Sequence, residues 1–164
     1  PQDKRAVIMC HPAVSAQADD AIGNARKREF AYLAGHDFVQ HMFADPNFVS
    51  VWVDLCAVQG IDSTTLGLLA KLALKVKEKF GFVPTIYSHD PGINRLLRSM
   101  AFHRLFVLRE GSCNNPADIA ELPTVMGSEE SVKQKVIEAH RVLMDISEEN
   151  RDRFKDLIKA LERN

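Results

Sequence analysis

Apolar residues fall along this chain in two rhythms, short unbroken runs and longer stretches at helical spacing. Ala6, Val7, Ile8, Met9 and Cys10 form the first run and read as a strand. Residues 15–28 are rich in Ala, Asp, Lys and Arg around Gly23 and Asn24, and read as a loop or a short irregular element. Residues 29–33 read as a second short strand. Residues 35–44 read as a helix with Phe38 and Met42 inward, stopped by Asp45 and Pro46. Residues 48–55 are β-branched and aromatic and apolar nearly throughout, which predicts a strand buried on both faces.

The clearest helix covers residues 62–80. Leu66, Leu69, Ala70, Ala73, Val76 and Phe80 share one face, Lys71, Lys75 and Glu78 lie on the other, and Gly81 stops it. Residues 82–87 follow as a strand, with Pro84 near its start or at an edge. Asp90 and Pro91 make an N-cap followed by proline at the first helical position. Ile93, Leu96, Leu97 and Met100 then recur at i, i+3, i+4 and i+7. Residues 104–108 read as a further apolar strand. Strands and helices in this alternation indicate βαβ crossovers and an α/β sheet with helices packed on it.

Beyond Arg109 the pattern changes. Residues 111–116 read as a loop and residues 117–122 as one short helix at most, broken by Pro123 and Gly127. Residues 128–145 and 147–161 read as one broken helix or two. Val132, Val136, Ala139 and Leu143 mark one apolar stripe, and Phe154, Leu157, Ile158 and Leu161 mark another. Such a tail packs on the domain, mediates self-association or presents a helix to a partner. The division expected is a domain over residues 1–122 and a helical extension over 123–164.

Composition narrows the function classes. The chain has 164 residues, 46% apolar and 26% charged, as a globular protein does. Its 21 basic and 22 acidic residues leave a net charge of -1, so no global basic field exists to attract nucleic acid or anionic lipid. No run of about 20 apolar residues predicts a membrane span, and the run at residues 6–10 is too short for a signal peptide. Three scattered cysteines, Cys10, Cys56 and Cys113, make no disulfide framework, so a cytoplasmic location is expected.

Chemistry is sparse. His36 and His41 fall on different sides of a helix, and His103 and His140 are isolated, so no metal site is predicted. Zinc-protease, dinucleotide, P-loop and nucleophile-elbow motifs are absent. Cys10 and His11 would point to opposite faces of a strand. Asp54 and Asp62 form an acid pair only on paper, since one is a strand-end residue and the other a helix cap. No catalytic residue and no cofactor is predicted, and an enzyme is not the leading class. The informative segment is the strand ending Val53-Asp54-Leu55, a loop with Val58 and Ile61, then Asp62-Ser63-Thr64-Thr65-Leu66-Gly67 opening a helix. A helix start carries N–H groups without intrahelical partners and a partial positive charge, and it stabilises an oxygen anion. Spacing alone makes Asp62 or Ser63 an ordinary N-cap.

The same segment resembles the STAS domain of bacterial anti-sigma-factor antagonists, in which a hydrophobic strand ends in Asp-Leu and a helix opens with Asp-Ser-Ser/Thr-Gly/Ala-Leu-Gly. The resemblance runs from about residue 6 to residue 122 and includes Phe30 and His36-Asp37-Phe38; residues 128–164 lie outside it. It implies a STAS-like mixed β-sheet with helices packed on it, to which the helical extension is added. It implies that Ser63 is a phosphorylation site and that Asp62, Ser63, Thr64, Thr65 and Leu68 meet a partner. Leu68 projects opposite the Leu66/Leu69/Ala73 face, with Lys71 and Lys75 as a polar rim. The partners implied are an anti-sigma factor that is also a serine kinase of the histidine-kinase-like ATPase type, and a PP2C-type phosphatase. ATP belongs to that kinase. Thr65 stands where the family has Gly or Ala, which puts the fit of the kinase in question. Two other readings share the fold: a STAS signalling module for biofilm, motility or a scaffold without a sigma factor, and a small-molecule or nucleotide sensor with its ligand at the Ser63 helix start. A homodimer through the C-terminal helices is a further expectation.

Overall fold

The computed structural model describes residues 4–9, 48–56, 58, 60–111, 119–120 and 129–163. Five strands, β1 (Lys4–Met9), β2 (Phe48–Asp54), β3 (Thr85–Ser88), β4 (Val107–Glu110) and β5 (Ile119–Ala120), form one sheet in the order β4-β3-β2-β1-β5. Each described pairing is parallel. Parallel neighbours need long crossovers, and two are helices: α1 (Ser63–Phe80) joins β2 to β3, and α2 (Pro91–Ser99) leads from β3 towards β4. The chain is therefore α/β. The expected strand at 29–33 and helix at 35–44 lie outside the described residues, and among the described strands none is antiparallel, as the expected mixed sheet would require.

The caps form as their residue types dictate. Asp62 is extended, at φ -89° and ψ 166°, and its Oδ1 accepts the Thr65 N–H at 2.8 Å. Gly81 ends α1 at φ 74°, in the left-handed region where a Cβ is penalised, and its N–H reaches the Lys77 carbonyl. Asp90 caps α2 in the same way through the Ile93 N–H, with Pro91 at the first turn.

Three expectations need correction. In β2, Val51 and Val53 are buried while Trp52 and Asp54 are half-buried, so its described part alternates rather than being buried on both faces. Residues 104–108 are not one strand. Phe102–Arg104 is a 3-10 turn entered from Ala101 at φ 60°, and the strand is Val107–Glu110. The cause is packing: Phe102 and Phe106 stack at 5.6 Å between centroids inside the core, which bends that part of the run. Residues 119–120 are strand, not helix, because β1 offers an edge to which they add in parallel.

The tail forms two helices, α3 (Glu129–Ile146) and α4 (Glu148–Arg163), which pack on each other, and α3 also packs on α1. Leu143 and Phe154 belong to the same apolar cluster as Val53, Leu66 and Ile86. The second stripe is narrower than its spacing suggests. Phe154 and Ile158 are buried, but Leu157 is 42% exposed and Leu161 only half-buried. Asn150 fastens the turn between the helices: its Nδ2 donates to the Met100 carbonyl of the body at 3.0 Å and to the Leu143 carbonyl of α3 at 3.1 Å. Arg104 adds a bond from its guanidinium to the Ile146 carbonyl. No described helix is long and apolar enough to cross a membrane.

Candidate functional site

The candidate corner lies where β2 ends and α1 begins. β2 is an interior strand, held by β1 on one side and β3 on the other, so its end is firmly placed. Past Asp54 the chain turns tightly. The Asp54 Oδ1 accepts the Cys56 N–H at 2.8 Å, and the Leu55 carbonyl accepts the Val58 N–H. The Cys56 thiol donates to the Gly111 carbonyl at 3.1 Å, which ties this turn to the end of β4. Asp54 and Asp62 each place Oδ1 on a backbone N–H, so both do local structural work.

Ser63 is the first residue of α1 and half-buried. Asp62, Thr64 and Thr65 share that first turn, and all are half-buried. Leu68, expected to project to solvent, is half-buried too. Its helix is covered on two sides rather than one, by the sheet and by α3, so the buried set widens to include Gly67 and Leu72.

α3 brings to this corner a residue that the sequence reading left isolated. The Ser63 Oγ lies 2.8 Å from the Nε2 of His140. The His140 Nδ1 lies 2.8 Å from the Val136 carbonyl. A carbonyl only accepts, so Nδ1 carries a proton; in the neutral ring Nε2 then offers its lone pair and the Ser63 hydroxyl donates. His140 is 2% exposed and its ring meets Phe154 edge-on at 5.2 Å. One signal was available in the sequence: His140 sits within the stripe of Val132, Val136, Ala139 and Leu143, and a titratable ring in an apolar stripe needs a partner.

Two further contacts extend the seam. An ideal Cβ at Gly67 would lie 2.5 Å from both the Cβ and the carbonyl oxygen of Ala139, so the helices meet where α1 has no side chain. One turn on, Lys71 pairs with Glu138 at 2.5 Å. Ser63, Gly67 and Lys71, a row at i, i+4 and i+8, thus meet His140, Ala139 and Glu138 in turn. Lys75 continues the row's polar edge. Burial, then repulsion from Lys71, pulls its ammonium below the ordinary lysine range against the pull of Glu138 and Glu78.

Comparison with known proteins gives no family for this chain. No family model, no curated protein and no solved structure matches it. Among the described residues no group of three or more His, Cys, Asp and Glu is placed to hold a metal ion. An open depression of about 350 Å³ lies elsewhere, at the start of α2, lined by His89, Asn94, Arg95 and Arg98 among others.

Proposed function

We propose that this chain is a STAS-like partner switch, an anti-sigma-factor antagonist that binds an anti-sigma factor and serine kinase while Ser63 is unphosphorylated. The observation that carries the reading is the position of Ser63. It is the first residue of a capped helix at the end of an interior parallel strand, within an Asp-Ser-Thr-Thr-Leu-Gly segment that resembles the family's phosphorylation motif. A phosphate there sits at the positive end of α1 and adds close to two negative charges to a corner shaped around a neutral hydroxyl. Placing that dianion uncompensated in an interface costs several kcal/mol. Only about 2.7–4.1 kcal/mol is needed to weaken a complex a hundred- to thousandfold. In this reading the chain works in the cytoplasm, performs no catalysis, takes ATP only through its kinase, and is reset by a PP2C-type phosphatase. Asp62, Thr64, Thr65 and Leu68 flank the acceptor on the partner-facing side.

The test is intact and fragment mass spectrometry of the full chain after incubation with native cytosol and ATP, with pull-downs on Ser63→Ala and Ser63→Asp baits. Phosphate on Ser63, and a partner retained by Ala and lost by Asp, is the expected result. Phosphate found only on tail residues such as Thr124 or Ser128, or equal capture by both baits, refutes the reading.

A further inference from the structure

The seam between α1 and α3 places a helix across the serine that the proposed function modifies. We infer that the row Ser63, Gly67 and Lys71 is a helix-docking surface occupied in cis by α3, and that a phosphate on Ser63 releases the α3–α4 hairpin from it. The inference rests on the reading of Ser63 as a phosphoacceptor. Three contacts of different chemistry define what the surface accepts: a hydrogen-bond acceptor at Ser63, a small residue at Gly67 and an acid at Lys71. His140, Ala139 and Glu138 supply them from one helix. A partner helix that offers an acid, a small residue and an acceptor in succession would displace α3 from this face while Ser63 is unphosphorylated, and the phosphate that expels α3 would expel it too.

The Ser63–His140 bond makes the docking sensitive to phosphate. With its Nδ1 proton on the Val136 carbonyl, the neutral imidazole leaves Nε2 to accept the proton of the serine. In the transfer the Ser63 Oγ–H bond gives its proton to a base of the kinase, the Oγ–P bond forms, and the bond from that phosphorus to the departing nucleoside diphosphate breaks. Oγ then has no proton to donate, and a lone pair of Nε2 faces an ester oxygen. The three added oxygens also need the space where a buried ring now sits 2.8 Å away. A kinase meets the same obstacle from outside, since in-line transfer needs the hydroxyl open to an incoming phosphorus. By linkage, whatever must undock for phosphate to enter is held undocked once phosphate is there.

The experiment installs phosphoserine at position 63 of the full chain by genetic encoding, which needs no kinase, and follows amide hydrogen exchange. Exchange in α3 and α4 is expected to rise by at least about tenfold over the unmodified chain, while Val53, Ile86 and Leu97 keep their protection. A second arm adds Gly67→Ala, whose cost arises only when α3 is docked. That cost should be present in the unmodified chain and vanish in the phosphorylated one. Unchanged exchange, slower exchange because an imidazolium grips the phosphate, or loss of protection throughout the core each overturns the inference. So does a cost of Gly67→Ala that survives phosphorylation. If the hairpin is released by installed phosphate but cytosol never phosphorylates Ser63, the latch stands and the proposed function falls; the converse result separates them the other way.

Discussion

Replacing Gly67 by alanine sets two opposed effects against each other. In the interior of an exposed helix the change stabilises by about 1 kcal/mol, because glycine is a poor helix former. Gly67 is buried against α3, where the new Cβ would lie 2.5 Å from the Ala139 Cβ and carbonyl oxygen. That is about 1 Å short of ordinary van der Waals contact, and a backbone carbonyl cannot turn aside as a flexible side chain would. The helices must part, and overpacking of this kind costs about 1–3 kcal/mol. Parting also stretches the Ser63–His140 bond beyond hydrogen-bonding range, which removes about 0.5–1.5 kcal/mol. The net expectation is a loss of about 0.5–3.5 kcal/mol, opposite in sign to helix propensity alone. Urea unfolding followed by Trp52, the one tryptophan, reports the sheet, and far-ultraviolet dichroism reports the helices. A lower midpoint with an unchanged slope is the expected result. A variant as stable as the parent, or more so, would show that α3 does not press on α1 at this position.

Three other outcomes are expected. Phe154→Ala should cost about 3 kcal/mol or more, whereas Leu157→Ala, three residues on but exposed, should stay within about 0.5 kcal/mol; equal losses in thermal melting would contradict the packing described. Asn150→Ala removes both amide bonds together with a buried Oδ1 that has no partner, so a loss of about 1–3 kcal/mol is expected by denaturant titration, and less than about 0.5 kcal/mol would mean that solvent replaces the amide freely. The backbone N–H of Glu149, then the Ser147 hydroxyl, hold the Glu149 carboxyl below its ordinary value of 4.5. Its contribution to the start of α4 is therefore complete above that value and fades as pH falls through the lower folded one. The group is fully exposed, so the effect is local; a carbon-detected titration should show Ser147→Ala moving the Glu149 midpoint upward, and no movement would remove the cap from the account.

The helices were legible because their ends are written in single residues. Asp62 and Gly81 bracket α1, and Asp90 with Pro91 opens α2 within a residue of where periodicity put it. The split of the tail at Ser147 was visible as well, as one of two alternatives. What escaped depended on neighbours distant in sequence. Leu105 and Phe106 look like strand, but the Phe102–Phe106 stack turns them inward before β4 begins. Ile119 and Ala120 become strand only because β1 has an edge to pair with. At the candidate corner, the cap and Ser63 could be found from local spacing. His140 could not be joined to Ser63, because 77 residues separate them and no periodicity links one helix to another.

The amide bond from Asn150 to the Met100 carbonyl also sets the geometry of any exchange at the α1 row. It fastens the bend of the hairpin, next to Ile146, and not the stretch around His140. A hairpin lifted from Ser63 thus stays on a short leash, and its rebinding is a unimolecular event at an effective concentration in the millimolar range. Any outside helix reaching for the same row competes against that local supply rather than against bulk solvent. If the leashed helix is seated ten times as often as not, every competitor appears about tenfold weaker than its intrinsic affinity. Loosening the bend, as Asn150→Ala would do, therefore shifts the apparent affinity of a competitor whose contacts lie wholly on α1, without altering a single atom of the surface it binds.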